Sequence, residues 1–245
     1  MRKPDCAVAF AVAAVLVLPA AVRPGPVAYA AEPTAPAPAA TPAPAPTCTV
    51  NGTPVAGPQI DGTDGDDTIV CTALAREDTV DAGAGDDTVS LSGTVEGHVL
   101  GGTGADHITL EHGARLTETG DVDGQAGDDA LDLRGTVLGT VRGGQDRDTI
   151  LLFSTADTGE HSVIRGARGA DVILADGAVT IRGLVEGVFD NDYIDINGTV
   201  APTGTVHGDD GDDVLHVHDN RGTVDAGEGT DTCVIDTGNA ALNCP

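Results

Sequence analysis

The chain has 245 residues, of which 39 are acidic and 12 basic, and its formal net charge is −27. Such a charge argues against binding to nucleic acid or to anionic membranes, because both are themselves negatively charged. Aromatic residues make up only 2% of the chain, which argues against the large two-layer core of an ordinary globular domain.

Residues 1–30 have the features of a secretory signal peptide. Arg2 and Lys3 supply a positive start, and residues 7–22 are apolar apart from one proline. Residues 28–30, Ala-Tyr-Ala, form a small-residue cleavage site. No later segment has the roughly 18 apolar residues of a membrane-spanning helix. We therefore predict a secreted, extracellular protein without a membrane span.

The segment that follows is a spacer, and removal of the signal increases the acidity of the chain. Residues 31–46 read AEPTAPAPAATPAPAP, a Pro/Ala-rich linker that we expect to be extended. Without residues 1–30, 9 basic and 38 acidic residues remain, which gives a net charge of −29 and no lysine. Aspartates outnumber glutamates by 31 to 8 in the whole chain, and this bias indicates turns, where a short carboxylate fits.

A Gly- and Asp-rich nonapeptide recurs nine times after residue 47, at spacings of 18 to 23 residues. The clearest copy is residues 101–109, GGTGADHIT, with the frame G-G-x-G-x-D-x-U-x in which U is apolar. The aspartates at position six are Asp67, Asp87, Asp106, Asp129, Asp148, Asp171, Asp192, Asp213 and Asp231. The turn glycines that we assign to the same site are Gly65, Gly85, Gly102, Gly104, Gly127, Gly169, Gly211 and Gly229.

Alternating apolar and polar residues flank each turn. After the aspartate the pattern has period two, as in Ile194-Asp195-Ile196, which is typical of a strand with one buried face. An apolar residue also stands two positions before each frame, and it is Val or Ile in all nine copies. The sequence therefore predicts an all-β fold over residues 47–245. We expect a parallel β-roll or β-solenoid of about nine coils of 18–23 residues, with two strands per coil.

The turn itself has the chemistry of a calcium site. Glycines adopt backbone angles that other residues avoid, and they direct carbonyl oxygens to one side. The aspartate adds charged oxygens, and Ca²⁺ takes six to eight oxygen ligands. Because one turn cannot supply them all, an ion between adjacent turns is the natural arrangement.

The frame resembles the RTX (hemolysin-type) calcium-binding nonapeptide repeat family over residues 60–236. The resemblance implies a parallel β-roll in which Ca²⁺ binds between successive turns through the aspartates and backbone carbonyls. The chain departs from the family at position four, where two copies have Asp146 and Asp190, and at position one, where two copies have Ala82 and Ala226. It also has an N-terminal signal, whereas RTX proteins usually leave the cell through a C-terminal one.

Four cysteines remain after the predicted signal. An even number in an exported chain indicates disulfides, for which three connectivities are possible. The sequence-local one joins Cys48 to Cys71 and Cys233 to Cys244, with one bridge at each end of the repeats. A zinc site is the alternative, although no C-x-x-C spacing supports it.

The functional prediction is a non-enzymatic calcium-binding protein with a structural, spacer or adhesion role. Its expected partners are calcium ions and a cell-surface or matrix glycan or protein. One alternative is a calcium-dependent polysaccharide lyase or epimerase on a β-helix, which the lack of lysine and the negative charge disfavour. A second is an ice-binding solenoid, suggested by repeated Thr-Val pairs such as Thr136-Val137.

Two smaller patterns stay open at the level of the sequence. Four copies of the repeat read Gly-Asp-Asp, and the extra carboxylate is either an additional calcium ligand or a solvated turn residue. These residues are Asp66, Asp86, Asp128 and Asp212. The pair His216 and His218 could bind a metal, although isolated histidines at this spacing are more often surface residues.

Overall fold

A computed structural model describes residues 47–244. The predicted signal peptide, residues 1–30, and the predicted linker, residues 31–46, lie outside this range. All regular elements between residues 47 and 244 are strands, so no helix in this part of the chain has the length and hydropathy to span a bilayer. The predicted all-β class is confirmed.

Each of nine coils contributes one strand to a nine-strand parallel sheet. These strands are β3 (Gln59–Thr63), β5 (Thr79–Gly83), β7 (His98–Thr103), β10 (Asp121–Ala126), β13 (Thr140–Gln145), β16 (Val163–Arg168), β19 (Leu184–Phe189), β21 (Thr205–Asp210) and β23 (Thr223–Glu228).

The second strand of each coil belongs to a larger sheet of 15 strands. These strands are β4 (Thr68–Leu74), β6 (Thr88–Val95), β8 (His107–Leu110), β11 (Ala130–Leu133), β14 (Thr149–Leu152), β17 (Val172–Ala175), β20 (Tyr193–Val200), β22 (Val214–Asn220) and β24 (Thr232–Gly238). The chain is therefore a parallel β-solenoid of nine coils, as predicted.

The coil also has a third side, which the expectation of two strands per coil did not include. It is formed by the short strands β9 (Arg115–Leu116), β12 (Thr136–Val137), β15 (Asp157–Thr158) and β18 (Thr180–Ile181). In other coils the second strand itself continues onto this side, as in β4 and β20, which both pass through a register shift. The two longest spacings, after the third and fifth copies, contain the paired strands β9 and β15.

Aliphatic residues stacked in columns fill the interior. The nine Val and Ile residues that precede the frames are no more than 2% exposed. They are Ile60, Val80, Val99, Val122, Val141, Ile164, Val185, Val206 and Val224. A single coil could not bury such a face alone, so the stability of the fold comes from stacking.

Both ends of the coil stack are closed covalently. An N-terminal hairpin of β1 (Cys48–Val50) and β2 (Thr53–Val55) pairs antiparallel with β4, and Cys48 is disulfide-bonded to Cys71 of that strand. At the other end Cys233 is bonded to Cys244. This is the sequence-local connectivity.

Candidate metal centre

The repeated turn links the nine-strand sheet to the 15-strand sheet in every coil, and in seven of the nine coils its fourth position has left-handed backbone. Position four has φ of 117° at Gly85 and 129° at Gly104, a region that favours glycine. Asp146 and Asp190 adopt the same conformation, with φ of 74° and 72°, which Asp tolerates better than most residues. The two substitutions at position four therefore preserve the turn.

Close stacking of the turns is a second reason for glycine. A Cβ on Gly127 would collide with the carbonyl oxygen of Gly104 in the preceding coil. The same collision arises between Gly229 and the carbonyl of Gly211. Backbone oxygens of one turn consequently lie directly against the next turn.

The nine position-six aspartates form one buried column along this edge, and each is at most 6% exposed. The backbone N–H of every aspartate except the last, Asp231, donates to Oδ1 of the aspartate in the following coil, at 2.7–3.0 Å. Asp67, for example, donates to Asp87, and Asp129 donates to Asp148. The carboxylates thus connect consecutive coils through one of their two oxygens.

The other oxygen is unsatisfied in eight of the nine carboxylates. Among the described residues no hydrogen-bond donor contacts Oδ2 of Asp87, Asp106, Asp129, Asp148, Asp171, Asp192, Asp213 or Asp231. Buried polar atoms without partners are rare in folded proteins, and a buried charge without one costs several kcal/mol. A row of eight such atoms indicates a ligand of opposite charge.

These Oδ2 atoms converge with backbone oxygens of the next coil. A Cβ on Gly101, at position one, would lie 2.6 Å from Asp106 Oδ2 and 2.6 Å from the carbonyl oxygen of Gly124. The equivalent pair of oxygens faces Gly124 and Gly208. The absence of a side chain at position one therefore leaves room where oxygens of two coils meet.

Burial raises the pKa of the seven carboxyl groups of the column from Asp87 to Asp213. It raises the pKa of Asp148 to about 8, although the N–H of Asp129 lowers it and neighbouring carboxylates raise it further. Burial likewise raises the pKa of Asp129 to about 7, of Asp192 to about 8, and of Asp87 and Asp171 to about 6. The folded protein opposes the charged form of these groups unless a cation is bound.

Asp67, the first aspartate of the column, is the exception. Its Oδ1 accepts a hydrogen bond from the amide of Asn51, and its Oδ2 accepts from the N–H of Thr63 at 2.5 Å and from the Thr63 hydroxyl at 2.9 Å. Burial raises the pKa of Asp67, but these hydrogen bonds outweigh it and the net shift is downward. Protein donors therefore satisfy this carboxylate completely.

The extra carboxylates of the Gly-Asp-Asp copies have a third role, distinct from both sequence interpretations. Asp86 Oδ1 accepts the backbone N–H of Ala105 in the next coil at 2.9 Å, and Asp128 Oδ1 accepts that of Arg147 at 3.0 Å. Asp66 and Asp212 make the same bond. All four are exposed, so they tie successive turns together on the outside.

The histidines that the sequence singled out share a carboxylate partner. His216 contacts Asp195 at 2.9 Å and Asp236 at 3.5 Å, and His218 contacts Asp236 at 3.0 Å. Surface carboxylates therefore hold both imidazoles.

The donor set of the aspartate column consists of carboxylate and carbonyl oxygens. Such hard ligands suit Ca²⁺ and Mg²⁺ rather than zinc or copper, which prefer nitrogen and sulfur. The residues present thus fit the calcium ion that the resemblance implies.

No family model and no curated protein matches the chain. The fold is similar to the X-ray crystal structure of a hyperactive, Ca²⁺-dependent, beta-helical antifreeze protein from an Antarctic bacterium. The TM-score is 0.51 at 24% identity, and the match covers 72% of this chain and 64% of the other. At this identity the likeness supports the β-solenoid fold, and the matched region spans less than two thirds of that protein.

Proposed function

We propose that the chain is a secreted calcium-binding solenoid of the RTX type, in which ions lie between stacked turns and hold the coils together. The observation that carries this proposal is the row of eight buried Oδ2 atoms without protein partners. Carbonyl oxygens of the next coil face several of these atoms, and carboxylate and carbonyl oxygens are the ligands that Ca²⁺ prefers. The Ca²⁺ dependence of the similar β-helical protein is compatible with this assignment.

The biological role that follows is structural rather than enzymatic. An elongated array, stabilised by ions and bridged at both ends by disulfides, suits a spacer or an adhesion module. Two disulfides are compatible with an oxidising, extracellular compartment.

The outer surface argues against the ice-binding alternative. Ice is flat and uncharged, so a protein face that matches it needs a continuous array of small hydroxyl side chains. On the third side of the coil, outward residues of successive coils form a column in which threonines alternate with charged residues. The column begins Thr94, Arg115, Thr136 and Asp157, and near its other end Thr199 is followed by Asp219. Charged residues therefore interrupt the threonine ladder that the Thr-Val pairs suggested.

Calcium titration of chelator-treated protein tests the proposal. Isothermal titration calorimetry should show several ions per chain, and circular dichroism should show a rise in melting temperature on loading. Asp106→Ala combined with Asp129→Ala should lower the number of ions bound, whereas Asp61→Ala combined with Asp81→Ala, on the outer face of the nine-strand sheet, should not. Wild-type protein that binds no calcium would refute the proposal.

A further inference from the structure

One region of the nine-strand sheet differs from the acidic surface around it. The outward residues just before each frame are mostly acidic, for example Asp61 and Asp81, which are neighbours in β3 and β5. In the fifth and sixth coils the same column has Arg142 and Arg165, which lie opposite each other in β13 and β16. Three of the nine arginines of the described chain, these two and Arg168, lie on this face.

Two of these arginines are neutralised by the protein and one is not. Arg142 is ion-paired with Asp121 at 2.7 Å and with Asp123 at 3.2 Å, and Arg165 is ion-paired with Glu186. Within residues 47–244 no carboxylate lies within 4.0 Å of the Arg168 guanidinium, and its side chain is exposed. Arg76, Arg115 and Arg147 also have no ion pair among the described residues, so the argument rests on what surrounds Arg168.

Arg168 lies beside an exposed aromatic ring. In the parallel register Arg168 of β16 is flanked by Gln145 of β13 and by Phe189 of β19. Phe189 is 45% exposed, although the mature chain has few aromatic residues. These side chains line a groove of about 640 Å³, together with Gln125, Arg165 and Val188.

Two residues on the floor of the groove are larger than the glycine found in several other coils. Position two of the frame is left-handed in every coil after the first, and it is Gly83, Gly102, Gly144 or Gly227 in four of them. In the sixth and seventh coils it is Ala167 with φ of 96° and Val188 with φ of 100°. A β-branched residue at positive φ is a conformational outlier, and such outliers persist where a side chain serves a purpose.

From these observations we infer that this face, here called the Arg168 groove, binds an acidic oligosaccharide that runs across the coils. The guanidinium of Arg168 would hold a carboxylate of a uronate unit, and the face of Phe189 would stack on a sugar ring. The amides of Gln125 and Gln145 would donate to and accept from hydroxyl groups. Coils follow one another about 4.8 Å apart, so a polymer along the axis meets a new row of side chains at each coil.

A carbohydrate fits the groove better than an acidic peptide does. Peptides that bind to sheets usually add a strand to a free edge. The strands under the groove, β13, β16 and β19, are each paired on both sides, so they offer no free edge. Recognition must therefore come from side chains alone. The two carboxylates that line the groove, Asp123 and Glu186, are ion-paired with Arg142 and Arg165, so Arg168 gives the groove an excess of positive charge.

The inference is independent of the proposed calcium sites, except that the protein must be folded. Binding of a galacturonate tetramer is measured by calorimetry in calcium-saturated buffer, with neutral cellotetraose as the comparison. We expect binding of the acidic tetramer and little of the neutral one. Arg168→Gln and Phe189→Ala should each weaken binding about tenfold or more.

The control is Arg115→Gln, which removes an equal charge from the third side of the coil. It should leave binding unchanged. Circular dichroism of each variant verifies that the fold is retained.

The inference is overturned if the wild type ignores the acidic tetramer, or if Arg115→Gln weakens binding as much as Arg168→Gln. Equal affinity for cellotetraose or for an acidic peptide of four aspartates would also overturn it. Loss of calcium binding with retained glycan binding would count against the proposed function alone.

Discussion

The turn of the first coil and the turns of the following coils share one sequence frame but satisfy their carboxylates differently. Asp67 accepts hydrogen bonds on both oxygens, from Asn51 and from Thr63. Asp148, in the fifth coil, accepts only the N–H of Asp129, and no described residue donates to its Oδ2. The pKa is accordingly lowered at Asp67 and raised to about 8 at Asp148.

In this fold a bound cation takes the place of hydrogen-bond donors to the buried carboxylate. Where the chain supplies N–H and O–H donors, the buried carboxylate is stable as an anion without an ion. Where the backbone turns left-handed at position two, the donors are absent and the carboxylate needs a ligand. The aspartate alone does not define a site, because the same residue type has both environments.

Removal of calcium should lower the stability of the fold more than any single substitution, because it acts on all the unsatisfied carboxylates at once. An ion bound only to the native state contributes about 2.7 kcal/mol at a free concentration 100 times its Kd. Melting temperatures from scanning calorimetry at pH 7.5, with calcium and with a chelator, measure the effect. Equal values would mean that the aliphatic columns and the disulfides alone hold the coils together.

The pH dependence of stability should have opposite signs with and without calcium. A carboxyl group with a higher pKa in the folded than in the unfolded chain favours folding as the pH falls. For Asp129, Asp148 and Asp192 this gain in stability occurs as the pH falls from about 8 to about 4, between the pKa values of the folded and the unfolded chain. Chelated protein should therefore gain stability between pH 8 and pH 5, by about 1.4 kcal/mol for each pH unit over which one of these groups is protonated only in the folded state.

Calcium-loaded protein should instead lose stability as the pH falls, because protons compete with the ion for the same carboxylates. Urea unfolding at several pH values, on both forms, measures the two slopes. Parallel slopes would contradict the assignment of the ions to these groups.

The effect of Asp148→Asn on the free energy of unfolding should also have opposite signs with and without calcium. At pH 8 in chelator the variant removes a disfavoured buried charge, and the free energy of unfolding should rise by about 2 kcal/mol. In saturating calcium the same variant loses a ligand for the ion, and its free energy of unfolding should fall by a similar amount. Asp81→Asn, on the outer face, is the matched control and should change stability little in either buffer. A decrease in both buffers would point to a purely structural role for Asp148.

Asn51→Ala should give the smallest effect. It removes the amide that donates to Asp67 and the oxygen that accepts the N–H of Thr68, so we expect a loss of about 1–2 kcal/mol. Asn239→Ala removes an exposed amide at the other end and serves as the comparison. Thermal unfolding in calcium measures both variants, and no difference between them would contradict a capping role for Asn51.

The repeats made most of the fold predictable. The nine Val or Ile residues two positions before each frame predicted the inward-facing column of the nine-strand sheet, and all nine are buried. The third side of the coil was missed because its strands are two residues long, as in β9 and β12, too short to show a periodicity.

The capping of Asp67 also escaped prediction, although part of its signal was present. Asn51-Gly52 between two short β-type segments is the sequence of a two-residue hairpin turn, and both residues have positive φ, 51° and 75°. That the Asn51 side chain reaches Asp67 depends on the hairpin folding back onto β4, a contact over 16 residues that no local pattern encodes. The Arg168 groove likewise arises only when three coils are stacked in register.

Counting bound ions in Asp67→Asn and Asp148→Asn tests the central claim most directly. Native mass spectrometry of calcium-loaded, folded protein gives the number for each variant and for the wild type. The account predicts several ions and no more than eight in the wild type, fewer in Asp148→Asn, and an unchanged number in Asp67→Asn. A wild type without bound calcium, or equal loss from the two variants, would contradict it.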